Sequence, residues 1–156
     1  MKIYIPKTIA LFILSALFLV ACGGGGDDKK EEEPTADTTK PTISFTVPTE
    51  EQSFTMGTYV QFKGTFTDET ELGSVTFSLK DEKPPLAYGN KGLDDSPWKP
   101  DSETIDLLGK KTYDHDGNIF VQIPSVNVYT GFYTITILVK DKAGNEASET
   151  VKIAIN

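Results

Sequence analysis

Few side chains in this 156-residue chain have the types and spacing for chemistry, and they fall in short clusters. Cys22 carries the single thiol, directly after Leu19-Val20-Ala21. It can be alkylated, but it has no second cysteine with which to form a disulfide. His115, the sole histidine, lies in Asp114-His115-Asp116-Gly117-Asn118, a run with the composition of a turn. No serine or cysteine nucleophile assembles around it, so a surface turn position is expected. Asp68, Glu69 and Glu71 form one acidic cluster, and Asp94 with Asp95 another. Carboxylates held about 5–10 Å apart can act as the acid and base of a glycosidase. A small β domain lacks the deep cleft that would raise one of them, so solvated loop charges are the expectation and no catalytic residue is assigned.

Calcium is the stronger alternative for these oxygens. Asp114-x-Asp116-Gly117-Asn118 offers oxygen ligands at alternate positions, as the start of a calcium loop does. Position 12 of such a loop is Ser125, however, and not the bidentate glutamate. Asp68 and Asp141 provide a second arrangement if they meet at one end of the fold. For both sets the competing role is turn capping, and the primary expectation is that no cofactor is held.

The segment from Asp81 to Glu103 is the one irregular insertion, with Pro84, Pro85, Pro97 and Pro100, Tyr88 and the only tryptophan, Trp98. A loop of this length inside a small domain usually carries function or is disordered. Tyr88 and Trp98 can stack on the apolar faces of sugar rings, and Asp94 and Asp95 can accept hydrogen bonds from hydroxyls. The other reading, and the favoured one for Trp98, is that it folds back to cover the domain. Phe120 and Phe132 are expected to point away from the main core, over an edge or in a contact patch.

The elements that must position these groups begin with an address. Lys2 and Lys7 precede an apolar stretch from Ile9 to Val20, too short to span a bilayer but suited to the h-region of a secretory signal. Leu19-Val20-Ala21-Cys22 closely resembles the bacterial lipobox. That resemblance implies a signal peptide over residues 1–21, cleavage between Ala21 and Cys22, a diacylglyceryl thioether on Cys22 and acylation of the new N-terminus. Residues 22–40 then form a tether: beyond the lipidated cysteine, four glycines lead into acidic and polar residues with no apolar side chain larger than Ala36. Nothing there offsets the entropy of ordering the chain. Its acidic cluster of Asp27, Asp28, Glu31, Glu32 and Glu33 resembles the lipoprotein export signal of Bacteroidota, which implies display on the outer surface. A solvated spacer without an address is the alternative.

Charge narrows the partners. The 15 basic residues are all lysines, and loss of Lys2 and Lys7 leaves 13 against 23 acidic side chains, a net charge near −10. Such a surface is repelled by phosphate backbones and anionic headgroups. Nucleic acid is therefore excluded as a partner, and membrane attachment must come from the lipid.

From residue 41 the pattern becomes one of short alternating runs. Ile43, Phe45 and Val47; Val60, Phe62 and Phe66; Val75, Phe77 and Leu79; Ile119, Val121 and Ile123; Tyr133, Ile135, Ile137 and Val139; and Val151, Ile153 and Ile155 each alternate with polar neighbours. Period two with β-branched and aromatic residues predicts half-buried strands, and a weaker one is expected near Thr104–Leu108. About seven antiparallel strands over residues 41–156 predict an all-β, two-sheet sandwich. The inward face of Tyr133, Ile135, Ile137 and Val139 should meet Phe62, Phe77 and Val121. Gly131-Phe132-Tyr133 resembles the tyrosine corner of immunoglobulin-like folds.

Pro41-Thr42-Ile43, Gly64-x-Phe66-x-Asp68 and Val139-Lys140-Asp141-Lys142-Ala143-Gly144-Asn145 resemble bacterial immunoglobulin-like domains. With the lipobox and acidic tether, the chain resembles single-domain surface lipoproteins of Bacteroidota. The resemblance implies an outer-membrane lipoprotein, lipid-anchored and surface-exposed, and supplies no activity; with no cleft for the carboxylates, a non-enzymatic protein is expected. It would act as a binding or interaction module for a glycan or a partner protein. The alternative is a structural envelope spacer or adhesion component with no small ligand.

Overall fold

A computed structural model describes residues 36–82 and 96–156. The expected lipobox, most of the expected tether and residues 83–95 of the insertion lie outside the described residues. Eight strands follow in chain order: β1 (Thr42–Val47), β2 (Gln52–Phe54), β3 (Val60–Thr67), β4 (Leu72–Asp81), β5 (Glu103–Asp106), β6 (Thr112–Ile119), β7 (Gly131–Asp141) and β8 (Glu146–Ile155). One sheet has the order β1-β3-β6 and the other β2-β8-β7-β4-β5. No helix occurs among the described residues. The fold is an immunoglobulin-like β-sandwich, with one strand more than the alternation predicts. The extra strand, β2, has three residues and runs parallel to β8, so the pairing is not wholly antiparallel.

Period-two burial builds the core between the sheets. On β7, Tyr133, Ile135, Ile137 and Val139 are buried, while the threonines between them are only partly covered. They share one core cluster with Phe62 and Phe66 of β3 and Val75 and Phe77 of β4. Phe62 and Phe77 join the two sheets edge to face, with centroids 4.9 Å apart. Offset and perpendicular ring pairs of this kind add to the burial of area itself.

Two expectations fail around the sixth strand. Val121 is 66% exposed, and Phe120, expected outside, is buried. The cause is backbone: Phe120 takes φ 67°, a left-handed conformation that breaks the alternation directly after Ile119. The run from Asp114 to Asn118 is also not a turn. It is the middle of β6, paired with β3 from Val60↔Ile119 to Thr67↔Thr112. His115 therefore points inward, against Phe62 at 5.9 Å, Phe77 at 5.7 Å and Tyr113 at 6.2 Å between ring centroids.

The sandwich has two poles. The chain enters β1 where Thr42 pairs with Thr67 and Leu72 pairs with Asp141. At the far pole lie Val60 opposite Ile119, Asp81 opposite Tyr133 and Gly131 opposite Ile155. The insertion after β4 leaves from this far pole.

Candidate functional site

At the entry pole two turns are built on aspartates. Asp68 follows β3, and its Oδ1 accepts the amides of Thr70 at 2.9 Å and Glu71 at 2.8 Å, turning the chain from one sheet into the other. Asp141 ends β7, and its Oδ1 accepts the amides of Gly144 at 2.6 Å and Asn145 at 2.7 Å. Gly144 supplies the φ of 99° that this hairpin requires. Gly73 is needed beside it, because a Cβ there would sit 2.7 Å from the Asp141 carbonyl oxygen.

A third carboxylate joins from the segment before β1. Asn145 Nδ2 donates to Asp141 Oδ2 at 2.7 Å and to the Asp37 carbonyl at 3.2 Å, holding Asp37 over the pole. The Thr39 amide and the Thr70 hydroxyl keep the Asp37 carboxyl below its ordinary range. One carboxylate oxygen each from Asp37, Asp68 and Asp141 lie within 4.8 Å of one another. Asp68 is 7% exposed and Asp141 2%. Asp68 Oδ2 is sealed from solvent and has no hydrogen-bond partner. Two lysines of this pole are committed elsewhere: Lys142 to Glu71 Oε2 at 2.8 Å and Lys111 to the Glu69 carbonyl at 2.7 Å. Among the described residues, no ion pair includes any of the three aspartates. Asp37 escaped the sequence reading because it lies within the expected tether, with no spacing that links it to the other two.

Asp114 and Asp116 are not brought to this cluster. Both project from the exposed face of β6, where Asp114 accepts the Thr65 hydroxyl at 2.6 Å and Asp116 pairs with Lys63 at 2.7 Å. The alternate spacing that suggested a calcium loop is the period of a strand.

At the far pole Trp98 is buried at 5% exposure, its ring perpendicular to Phe120 at 6.0 Å. Its backbone amide donates to the Tyr133 hydroxyl at 3.2 Å, which in turn donates to the Tyr129 carbonyl at 2.9 Å. That second bond is the backbone contact of a tyrosine corner. Ser96 bridges Val128, so the returning end of the insertion is pinned to the loop before β7. Trp98 is thus a plug and not an exposed platform. Tyr88, Asp94, Asp95, Cys22, Leu19, Val20 and Ala21 lie outside the described residues.

The apolar surface of this pole comes from other residues. Tyr59, Val121 and Val126 are 46%, 66% and 65% exposed. The two loops that carry them are tied together: the Gly57 backbone N–H donates to the Ile123 carbonyl at 3.0 Å, Ile123 N–H to the Thr58 carbonyl at 2.9 Å, and the Gln122 side-chain Nε2 to the Gly57 carbonyl. Phe120 and Asn127, the latter with φ 60°, bracket the exposed valines in left-handed conformations.

The chain shares 16% identity and a TM-score of 0.43 with the fibronectin(III)-like modules of Clostridium thermocellum CbhA, covering 75% of this chain and 47% of that one. With murine CRIg it shares 14% identity and a TM-score of 0.32, over 76% of this chain and 98% of the other. No curated protein matches the chain. The model of a family described as a domain of unknown function, DUF4625, matches residues 27–156, and the chain belongs to that family.

Proposed function

We propose that this protein is a lipid-anchored, surface-displayed interaction module without enzymatic activity, and that its far pole contacts a protein partner. The observation that carries this reading is the polarity of the domain. Residues 36–41 lead into β1 at one pole, while the end of β4 and the exposed Tyr59, Val121 and Val126 lie at the other. Left-handed non-glycine residues are costly and concentrate where a loop is held for a purpose. Phe120 and Asn127 hold this one with its valines outward. Exposed aliphatic groups suit a protein surface better than a sugar, and burial of Trp98 removes the strongest candidate platform for a glycan.

Two measurements test this. Cys22→Ser should abolish fatty-acid labelling and release the protein from the membrane fraction, and protease treatment of intact cells should cleave the wild-type domain. Crosslinking from Val121 or Val126 on intact cells should capture a discrete protein. A glycan array should remain blank, and array binding would return the function to glycan capture. Burial of Trp98 also favours a second reading, an envelope spacer. That reading predicts no crosslinked partner at all.

A further inference from the structure

We propose that Asp37, Asp68 and Asp141 form a calcium site that joins the segment entering the domain to both sheets at the entry pole.

The donor set is all oxygen, which suits a hard cation and disfavours zinc or copper. Calcium–oxygen distances are about 2.3–2.6 Å, so two ligands on opposite sides of one ion lie about 4.8 Å apart. The three carboxylate oxygens fall within 4.8 Å of one another, no farther apart than two ligands on opposite sides of such an ion. Magnesium, with bonds of about 2.0–2.1 Å and a strict octahedron, needs a tighter cluster.

Acidic clusters are common without a metal, and turn capping accounts for much of this one. It does not account for Asp68 Oδ2. Oδ1 already serves the Thr70 and Glu71 amides. Oδ2, on a residue only 7% exposed, is left with neither water access nor a donor. A buried ionised oxygen without a partner is costly, and such oxygens are normally paired or coordinate a metal. Asp141 is even more buried, and Lys142 and Lys111 are engaged with Glu71 and Glu69. A divalent ion supplies the missing positive charge. Three protein oxygens leave room for waters in a shell of six to eight.

The positions of the ligands give the ion a mechanical role. Asp68 closes β3 of one sheet, Asp141 closes β7 of the other, and Asp37 precedes β1. Calcium would therefore tie the segment before β1 to both sheets.

The test uses the full chain, stripped with chelator and titrated with calcium chloride to about 10 mM, tenfold above the weakest dissociation constants of calcium modules. One equivalent should bind by calorimetry, and the melting temperature should rise in a saturating manner, as expected for a ligand of the native state. Asp68→Asn removes the orphaned oxygen but also weakens a turn, so Asp37→Asn is the cleaner variant. It should weaken calcium binding at least tenfold while the domain still melts cooperatively in chelator, because asparagine keeps an oxygen for the Thr39 amide. Absence of calcium heat and of a melting shift would overturn the site. So would an Asp37→Asn variant that binds as well as wild type, or an equal response to magnesium.

Discussion

The backbone amide of Trp98 donates to the hydroxyl of Tyr133 at 3.2 Å, joining the end of the insertion to the strand at the centre of the core. Tyr133 is 1% exposed, and burial pushes its phenol above the ordinary range. The insertion is therefore anchored at its returning end by a buried polar contact and an aromatic pair with Phe120. Trp98→Ala should cost about 3–5 kcal/mol, the usual range for removing a buried large aromatic side chain. As Trp98 is the only tryptophan, its emission should be blue-shifted and resist acrylamide quenching. A red-shifted, readily quenched spectrum would return Trp98 to the surface.

The inward face of β7 offers a second measurement. Ile137 is fully buried, whereas Val121 stands in solvent after the left-handed turn at Phe120. Ile137→Ala should lose about 2–5 kcal/mol in urea unfolding. Val121→Ala should stay within about 0.5 kcal/mol of wild type. Comparable losses at the two positions would place Val121 in the core after all.

The unequal fate of these two positions reflects what alternation can report. Ile137 lies in a strand whose inward residues are Tyr133, Ile135, Ile137 and Val139, so its face was legible. β6 has Tyr113, His115 and Gly117 inward and Asp114 and Asp116 outward, a set that reads as turn chemistry without its partner strand. A three-residue parallel strand such as β2 is too short to show a period at all. At the entry pole, Asp68 and Asp141 could be suspected of meeting because each sits in a turn beside a strand end. Asp37 could not, because its placement depends on an Asn145 contact across 108 residues. The end of the sandwich from which the insertion leaves likewise follows only from the strand order.

His115 gives a prediction of opposite sign. Its Nε2 is buried without a hydrogen-bond partner, among Phe62, Phe77 and Tyr113. Leaving a polar atom unsatisfied costs about 1–3 kcal/mol, whereas an apolar group of similar size in its place carries no such penalty. His115→Leu should therefore raise the urea midpoint. A fall in the midpoint would mean that the imidazole makes a stabilising contact through that nitrogen.

The acid limb of stability should report Glu71. Its Oε2 pairs with Lys142 at 2.8 Å and its Oε1 accepts the Gly109 amide at 2.8 Å. The Lys142 contact, followed by the Gly109 amide, holds the Glu71 carboxyl below the ordinary glutamate range. A carboxyl depressed in the folded state contributes stability above its unfolded pKa and loses that contribution as pH falls through the folded value. Glu71→Gln keeps an oxygen for Gly109 but removes the charge. The variant should therefore be less stable than wild type at pH 7, with the difference shrinking below about pH 4.3, the ordinary glutamate value, and vanishing in stronger acid. Urea midpoints measured in chelator from pH 7 to pH 2 would follow it. The deficit at pH 7 should also shrink at about 1 M salt, where the screening length falls to about 3 Å. A deficit that persists unchanged at pH 2 would assign the effect of Glu71 to packing rather than to its charge.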